Sequence, residues 1–268
     1  MKKAETKWTA SRIKAQKGHG KIACLTAYDY STARIIDETG IEVILVGDSL
    51  AMTMLGYETT LPVTMEEMLH HTSAVVRAVR HALVVADMPF MSYQVSTEQA
   101  IGNAGRFIKE AGADAVKIEG GAIRVPLAKA LVQNGIPVLG HIGLTPQSIR
   151  ETGGYKVQGR NSEEAQLLLN DAQQLAKAGV FALVLECVPA TLGAEITKAV
   201  CVPTIGIGAG RHCDGQILVS HDMLGLFTNV APRFVRKYAE LGTAMRKAFA
   251  GYKSDVEKGR FPEKKHSY

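Results

Sequence analysis

The sequence has no apolar run approaching the ~18–20 residues that a membrane-spanning helix needs, so nothing in it reads as spanning a bilayer. Its first twenty residues lack the apolar core of a signal peptide. They are basic (Lys2, Lys3, Lys7, Arg12, Lys14 and Lys17, with Lys21 just after), but no aromatic beyond Trp8 interleaves them, which argues against nucleic-acid binding. They read as a solvated N-terminal helical extension over residues 1–20. Cysteine is scarce. Cys24, Cys187, Cys201 and Cys213 form no CxxC pair, so neither a zinc site nor a disulfide framework is expected. Cys24 and Cys187 lie in apolar runs and read as small buried hydrophobes, and a reducing cytoplasm fits best. Neither a linker nor a low-complexity stretch divides the chain, and a single domain over 1–268 is expected.

The chain has 268 residues, 46% hydrophobic and 21% charged, with a net charge of +5 spread along it. A chain of that length buries roughly three quarters of its unfolded surface. One unit recurs. A helical stretch ends at a glycine, and an apolar run follows that ends in a polar residue. Gly40 precedes VILVGD ending at Asp48, and Gly112 precedes AVKIE ending at Glu119. Gly135 precedes VLGH ending at His141, and Gly179 precedes ALVLE ending at Glu186. LVVAD, ending at Asp87, keeps the run without the glycine. Glycine relieves the left-handed conformation just past a helix end, and continuous Val/Ile/Leu runs suit parallel strands buried on both faces. Helices are predicted between them. One lies over 162–179 with Asn161 or Ser162 as cap and Glu164 at capping-box spacing; another begins at a Ser96 cap. ACLTAY (23–28), TIGIGA (204–209) and QILVSHD (216–222) complete eight strands, which favours a closed (β/α)8 barrel.

In such barrels chemistry sits at the C-terminal ends of the strands. Five runs end there in Asp48, Asp87, Glu119, His141 and Glu186. Alternation puts Lys117 and Glu119 on one face and Val116 and Ile118 on the other, so the ionic pair faces the barrel mouth. Asp48, Asp87 and Glu119 form a set of oxygen donors suited to magnesium. His70 and His71 are adjacent on a helix, point about 100° apart and read as ordinary helix positions. His141 either meets substrate or satisfies the barrel core. GIGAG (206–210) reads as a phosphate cradle of backbone amides or as a close backbone approach to another ligand. ETGGYKVQGR (151–160) reads as a flexible active-site loop or a surface turn.

Nine segments in order carry a resemblance: LTAYDYSTA, VGDSLAM, TLPVTMEEM, ADMPFMSY, VKIEGG, GHIGLTPQS, GGYKVQGR, LVLECVP, and IGIGAG with CDGQILVSHDMLGL. Together they resemble the ketopantoate hydroxymethyltransferase family. The resemblance implies a TIM barrel of the phosphoenolpyruvate/pyruvate-binding superfamily, Mg2+, a cytoplasmic location and a homo-oligomer, typically a decamer. It also implies one-carbon transfer from 5,10-methylenetetrahydrofolate as co-substrate to the keto acid 3-methyl-2-oxobutanoate, giving 2-dehydropantoate for pantothenate and coenzyme A synthesis. By the same resemblance Asp48 and Asp87 bind magnesium and lie against the keto acid, with Glu119 a ligand or held through water. Ser49 and Lys117 bind the keto acid, and Glu186 is the base, its apolar LVLECVP surroundings expected to raise its pKa. Three rivals remain at this stage: a magnesium-dependent C–C or P–C lyase or mutase of the same superfamily, a phosphate-binding barrel, and a non-enzymatic scaffold.

Overall fold

The computed structural model describes residues 6–152, 154, 156–226 and 232–268. Elements follow in chain order: α1 (Ala10–Lys14), β1 (Ile22–Thr26), α2 (Tyr30–Glu38), β2 (Val43–Val46), α3 (Leu50–Thr53), α4 (Met65–Ala78), β3 (Leu83–Asp87), α5 (Thr97–Lys109) and β4 (Ala115–Glu119). Then come α6 (Val125–Gln133), β5 (Val138–Gly143), α7 (Ile149–Thr152), α8 (Ser162–Ala178), β6 (Ala182–Glu186), α9 (Ala190–Ala199), β7 (Thr204–Ile207), β8 (Gly215–Leu218), α10 (Ser220–Met223) and α11 (Leu241–Glu257). Among the described residues the eight strands pair in sequence order, and β8 closes on β1 in parallel through Ile22–Gly215 to Leu25–Leu218. This is the expected (β/α)8 barrel.

The chain divides into two compact units, Met1–Val219 and Ser220–Tyr268. The first contains the barrel. The second holds α10 and α11, tied together by Leu241 N–H donating to the Leu224 carbonyl at 2.8 Å. No residue of α11 is buried within the chain. Among the described residues no helix is long and apolar enough to cross a membrane.

Helix ends explain the repeat seen in the sequence. Gly40, Gly112, Gly135 and Gly179 all carry positive φ. Gly179, at φ 102°, turns α8 back toward β6 while its N–H caps the Ala176 and Leu175 carbonyls. Asn161 caps α8 through its side-chain oxygen, which accepts from Glu164 N–H at 2.8 Å. The capping box is incomplete there. The Glu164 carboxylate accepts instead from the Asn161 side-chain amide and from Arg160 N–H. Ser96 caps α5 as expected.

The strands sort their side chains into two cores. Val116, Ile118, Leu183 and Leu185 face outward and pack with helix residues such as Phe107, Leu131 and Leu175. Cys24, Val43, Leu45, Val85, Ala115, Leu139, Val184, Ile205 and Ile217 fill the lower interior. Ile13, fully buried, joins that inner cluster and plugs the base of the barrel. The N-terminal helix is therefore shorter than the expected 1–20 extension and is not merely solvated. Strand eight is also shorter than expected: it ends at Leu218, and Ser220 to Met223 form a helical turn.

Candidate active site

Above the apolar layers the inward positions turn polar. Asp87, Lys117, Glu119 and His141 are all at most 4% exposed, and Asp48 follows β2 at 5%. Ladder register sets them side by side: Asp87 opposite Lys117, and Glu119 opposite His141. Lys117 Nζ lies 2.8 Å from Asp87 Oδ1 and 3.3 Å from Glu119 Oε1. Alternation along β4 thus sends Lys117 and Glu119 to the interior, as the sequence predicts. Removing one partner would leave a buried charge unpaired, at ~3–5 kcal/mol.

Each acid has a defined surround. Asp48 N–H donates to Asp87 Oδ2 at 3.1 Å, tying the two carboxylates' strands together. Gln147, 4% exposed, donates its side-chain amide to Asp48 Oδ2 at 3.0 Å and its backbone N–H to Glu119 Oε2 at 3.1 Å. His141 bridges two acids, with Nδ1 3.2 Å from Glu119 Oε1 and Nε2 3.2 Å from Glu186 Oε2. At 2% exposure it lies in the polar layer of the barrel interior. Ser49 shares a hydrogen bond with the fully buried Tyr28 hydroxyl at 2.8 Å. Asp48, Ser49, Asp87, Lys117, Glu119 and Glu186 therefore meet at one end of the barrel.

Burial and crowding shift the titrations. Asp48 is pushed up by burial and then by the charges of Asp87 and Glu119. Asp87 is pushed up by burial, against the opposing pull of Lys117. For Glu119, burial is outweighed by Lys117 and His141, and its carboxyl is held below its ordinary range. Burial also works against charge on Lys117 and His141, but the surrounding carboxylates prevail; Lys117 is raised, and His141 to about 9.

Among the described residues no group of three or more His, Cys, Asp or Glu side chains is gathered so as to hold a metal ion. The acids are instead spaced by Lys117 and Gln147. One observation nevertheless fits a hard divalent cation at Asp48 and Asp87, whose carboxylate oxygens are the donors such an ion prefers. The buried Asp87 Oδ1 meets Lys117 at ion-pair distance but receives no aligned hydrogen bond. Glu119 fits less directly, because Lys117 and His141 engage one of its oxygens and Gln147 the other.

Other expectations change. Cys24 is buried, but Cys187 is only partly so and adopts a left-handed φ of 49° directly after Glu186; burial and the Glu186 charge push its thiol up to about 12. LVLECVP is apolar on one face only, since Glu186 itself turns to His141. GIGAG is close packing. A Cβ on Gly210 would stand 2.5 Å from Ala190 Cβ, and one on Gly193 of α9 would stand 2.3 Å from the Ala209 carbonyl. His71 Nδ1 bonds the Tyr28 carbonyl at 2.6 Å, and the His70 ring meets the His71 ring edge-on. Of the loop 151–160, residues 153 and 155 lie outside the described residues. Gln147 and Tyr93 were not singled out from sequence. Their only signal is a polar residue placed soon after a strand end, in GHIGLTPQS and ADMPFMSY.

Comparison with known proteins shows the family. A family model described as ketopantoate hydroxymethyltransferase matches residues 7–264. A 3-methyl-2-oxobutanoate hydroxymethyltransferase of Clostridium novyi is 59% identical over 255 residues, covering 95% of this chain and 93% of its own. One from Carboxydothermus hydrogenoformans is 57% identical, covering 97% and 95%. Among solved structures, 2,3-dimethylmalate lyase, of the PEP mutase/isocitrate lyase superfamily, aligns with TM-score 0.59 at 15% identity, covering 96% of this chain and 91% of its own. A phosphoenolpyruvate phosphomutase from Streptomyces platensis aligns with TM-score 0.62 at 15% identity, covering 94% and 88%. The lyase and mutase likeness is one of fold.

Proposed function

Because the chain belongs to the ketopantoate hydroxymethyltransferase family, we propose that it transfers a hydroxymethyl unit from 5,10-methylenetetrahydrofolate to C3 of 3-methyl-2-oxobutanoate, giving 2-dehydropantoate for pantothenate synthesis. The observation that carries this reading is the meeting of Asp48, Asp87, Lys117, Glu119 and Glu186 at one barrel end. A phosphate-binding barrel or a scaffold leaves that buried excess of carboxylates without a use.

Asp48 and Asp87 would hold Mg2+, with Glu119 a further ligand or held through water. When bound, magnesium supplies Lewis acidity toward the oxygens of the keto acid. Lys117, buried and charged, pairs with the substrate carboxylate, and Ser49, steadied by Tyr28, donates to it. Glu186 takes the proton from C3. Its side chain is 16% exposed, the most open of these acids, so substrate can reach it. His141, 3.2 Å from its Oε2, sets the carboxylate's direction. Water adds at the methylene carbon as its two C–N bonds break, releasing tetrahydrofolate and a one-carbon unit at the oxidation level of formaldehyde. The C3 carbanion, delocalised as the enolate, adds to that carbon, and the resulting alkoxide takes the proton back from Glu186 to become the new hydroxyl.

We further propose a homo-oligomer, a decamer by family likeness. In α11 Leu241, Met245, Phe249, Tyr252 and Val256 are exposed at helical spacing, a stripe suited to a second copy. The free cysteines among the described residues suit a reducing cytoplasm.

The test is direct. Protein incubated with keto acid, methylene-folate and Mg2+ should form 2-dehydropantoate, and a chelator should abolish it reversibly. Turnover indifferent to chelation would remove the cation from the reading; no product with any divalent metal would remove the reaction.

A further inference from the structure

Gln147 sits where no charged group could serve as well. Its amide is fully engaged. Oε1 accepts from the Tyr93 hydroxyl at 2.7 Å and from Gln94 Nε2 at 3.3 Å. Nε2 donates to Asp48 Oδ2 at 3.0 Å and to the Met88 carbonyl at 2.9 Å. Turning the amide over would aim its carbonyl at a carboxylate and a carbonyl, both acceptors only. The Met88 carbonyl and the Asp48 carboxylate therefore enforce one orientation, and Tyr93, donating to Oε1, holds it there. The Tyr93 hydroxyl is itself held, accepting from Glu119 N–H at 3.2 Å, while Arg124 covers its ring at 5.3 Å.

The residue spans the two sides of the site. Its side chain holds Asp48 from beyond β2, and its backbone N–H holds Glu119 at the end of β4. A lysine in the same place would neutralise Asp48 and compete with a cation. A neutral amide fixes one carboxylate oxygen, leaves its charge intact and leaves the second oxygen to a ligand.

We propose that Gln147, locked by Tyr93, is a positioning residue that presents Asp48 to the divalent cation. This rests on the reading of Asp48 and Asp87 as cation ligands. Partners that orient metal ligands commonly contribute ~10–100-fold in metal affinity. Because Tyr93 acts through Gln147, its effect should vanish once the amide is gone.

The test titrates metal-free, full-length protein with Mg2+ by calorimetry, without substrate, and records the melting temperature of each variant. Gln147→Met should weaken Mg2+ binding by about tenfold or more and raise the keto-acid KM more than it lowers kcat. Tyr93→Phe should weaken binding less, and the double variant should match Gln147→Met alone. Wild-type uptake unaltered by Gln147→Met would overturn this proposal alone, as would additive effects of the two changes or a lowered melting temperature with unchanged affinity. Wild-type protein that takes up no Mg2+ would overturn the cation reading and this proposal with it. Should Gln147→Met fail to fold, Tyr93→Phe decides: lowered affinity supports the role, and unchanged affinity removes it.

Discussion

His141 Nε2 lies 3.2 Å from Glu186 Oε2, while the other nitrogen of the same ring lies 3.2 Å from Glu119 Oε1. One imidazole thus couples the proposed base to the acid beside the cation site. His141→Asn should lower turnover by about one to two orders of magnitude with a smaller change in KM, because it removes orientation rather than binding. Steady-state kinetics decide this. A His141→Asn enzyme with unchanged kcat would reduce the bridge to a structural contact.

Glu186→Gln should lower turnover by about three or more powers of ten while keto acid still binds. The discriminating measurement is deuterium exchange at C3 of 3-methyl-2-oxobutanoate, followed by proton NMR without folate. Near-normal exchange in the variant would take the base role away from Glu186.

Metal and protons should be linked. His141 has its pKa raised from 6.5 to about 9, so its pairing stabilises the metal-free fold fully below about 6.5. That contribution is lost as pH rises through about 9. Asp48 is also raised, by burial first, so its ionisation works against the fold in the same direction. A divalent cation lowers both values. Mg2+ binding near neutral pH should therefore release protons and tighten as pH rises. Calorimetry in two buffers of different ionisation enthalpy reads the proton count. Proton uptake on binding would contradict the assignment.

Ile13 tests the separation of stability from chemistry. It is fully buried among the inner residues of the barrel base, far along the strands from the acids. Ile13→Ala should cost ~2–5 kcal/mol of stability and leave kcat unchanged at temperatures where the variant stays folded. Denaturant unfolding paired with kinetics measures both.

Phe249, 64% exposed on α11, tests the proposed assembly. Phe249→Glu should lower the sedimenting mass without unfolding the chain. An unchanged mass would place the interface elsewhere.

The barrel was legible because parallel strands covered on both faces must be continuous apolar runs. Glycine after four of the helices (Gly40, Gly112, Gly135 and Gly179) then marks where the next run begins. Lys117 could be placed by alternation alone, since a lysine two residues from Glu119 in an apolar strand has one sensible face. Gln147 could not be placed that way. Its partners Asp48 and Met88 are distant in sequence, and a glutamine in a loop has no periodicity to betray a buried role. Ile13 escaped for the opposite reason: amid lysines and arginines, a single aliphatic residue looks like the dry side of a solvated helix. The length of strand eight was misjudged because its apolar run continues beyond the last ladder pair.

Closure of the strand ring has a consequence for how this site can change over time. With β8 bonded to β1, every strand is held by two neighbours, so none can slide without breaking both ladders. Displacement is therefore permitted only in whole-residue steps of ~3.3 Å, each of which would also turn inward side chains outward. Asp87, Lys117 and Glu119 lie on that grid. Variation can rebuild the loops above them freely, whereas their mutual spacing can shift only by a jump that dismantles the interior.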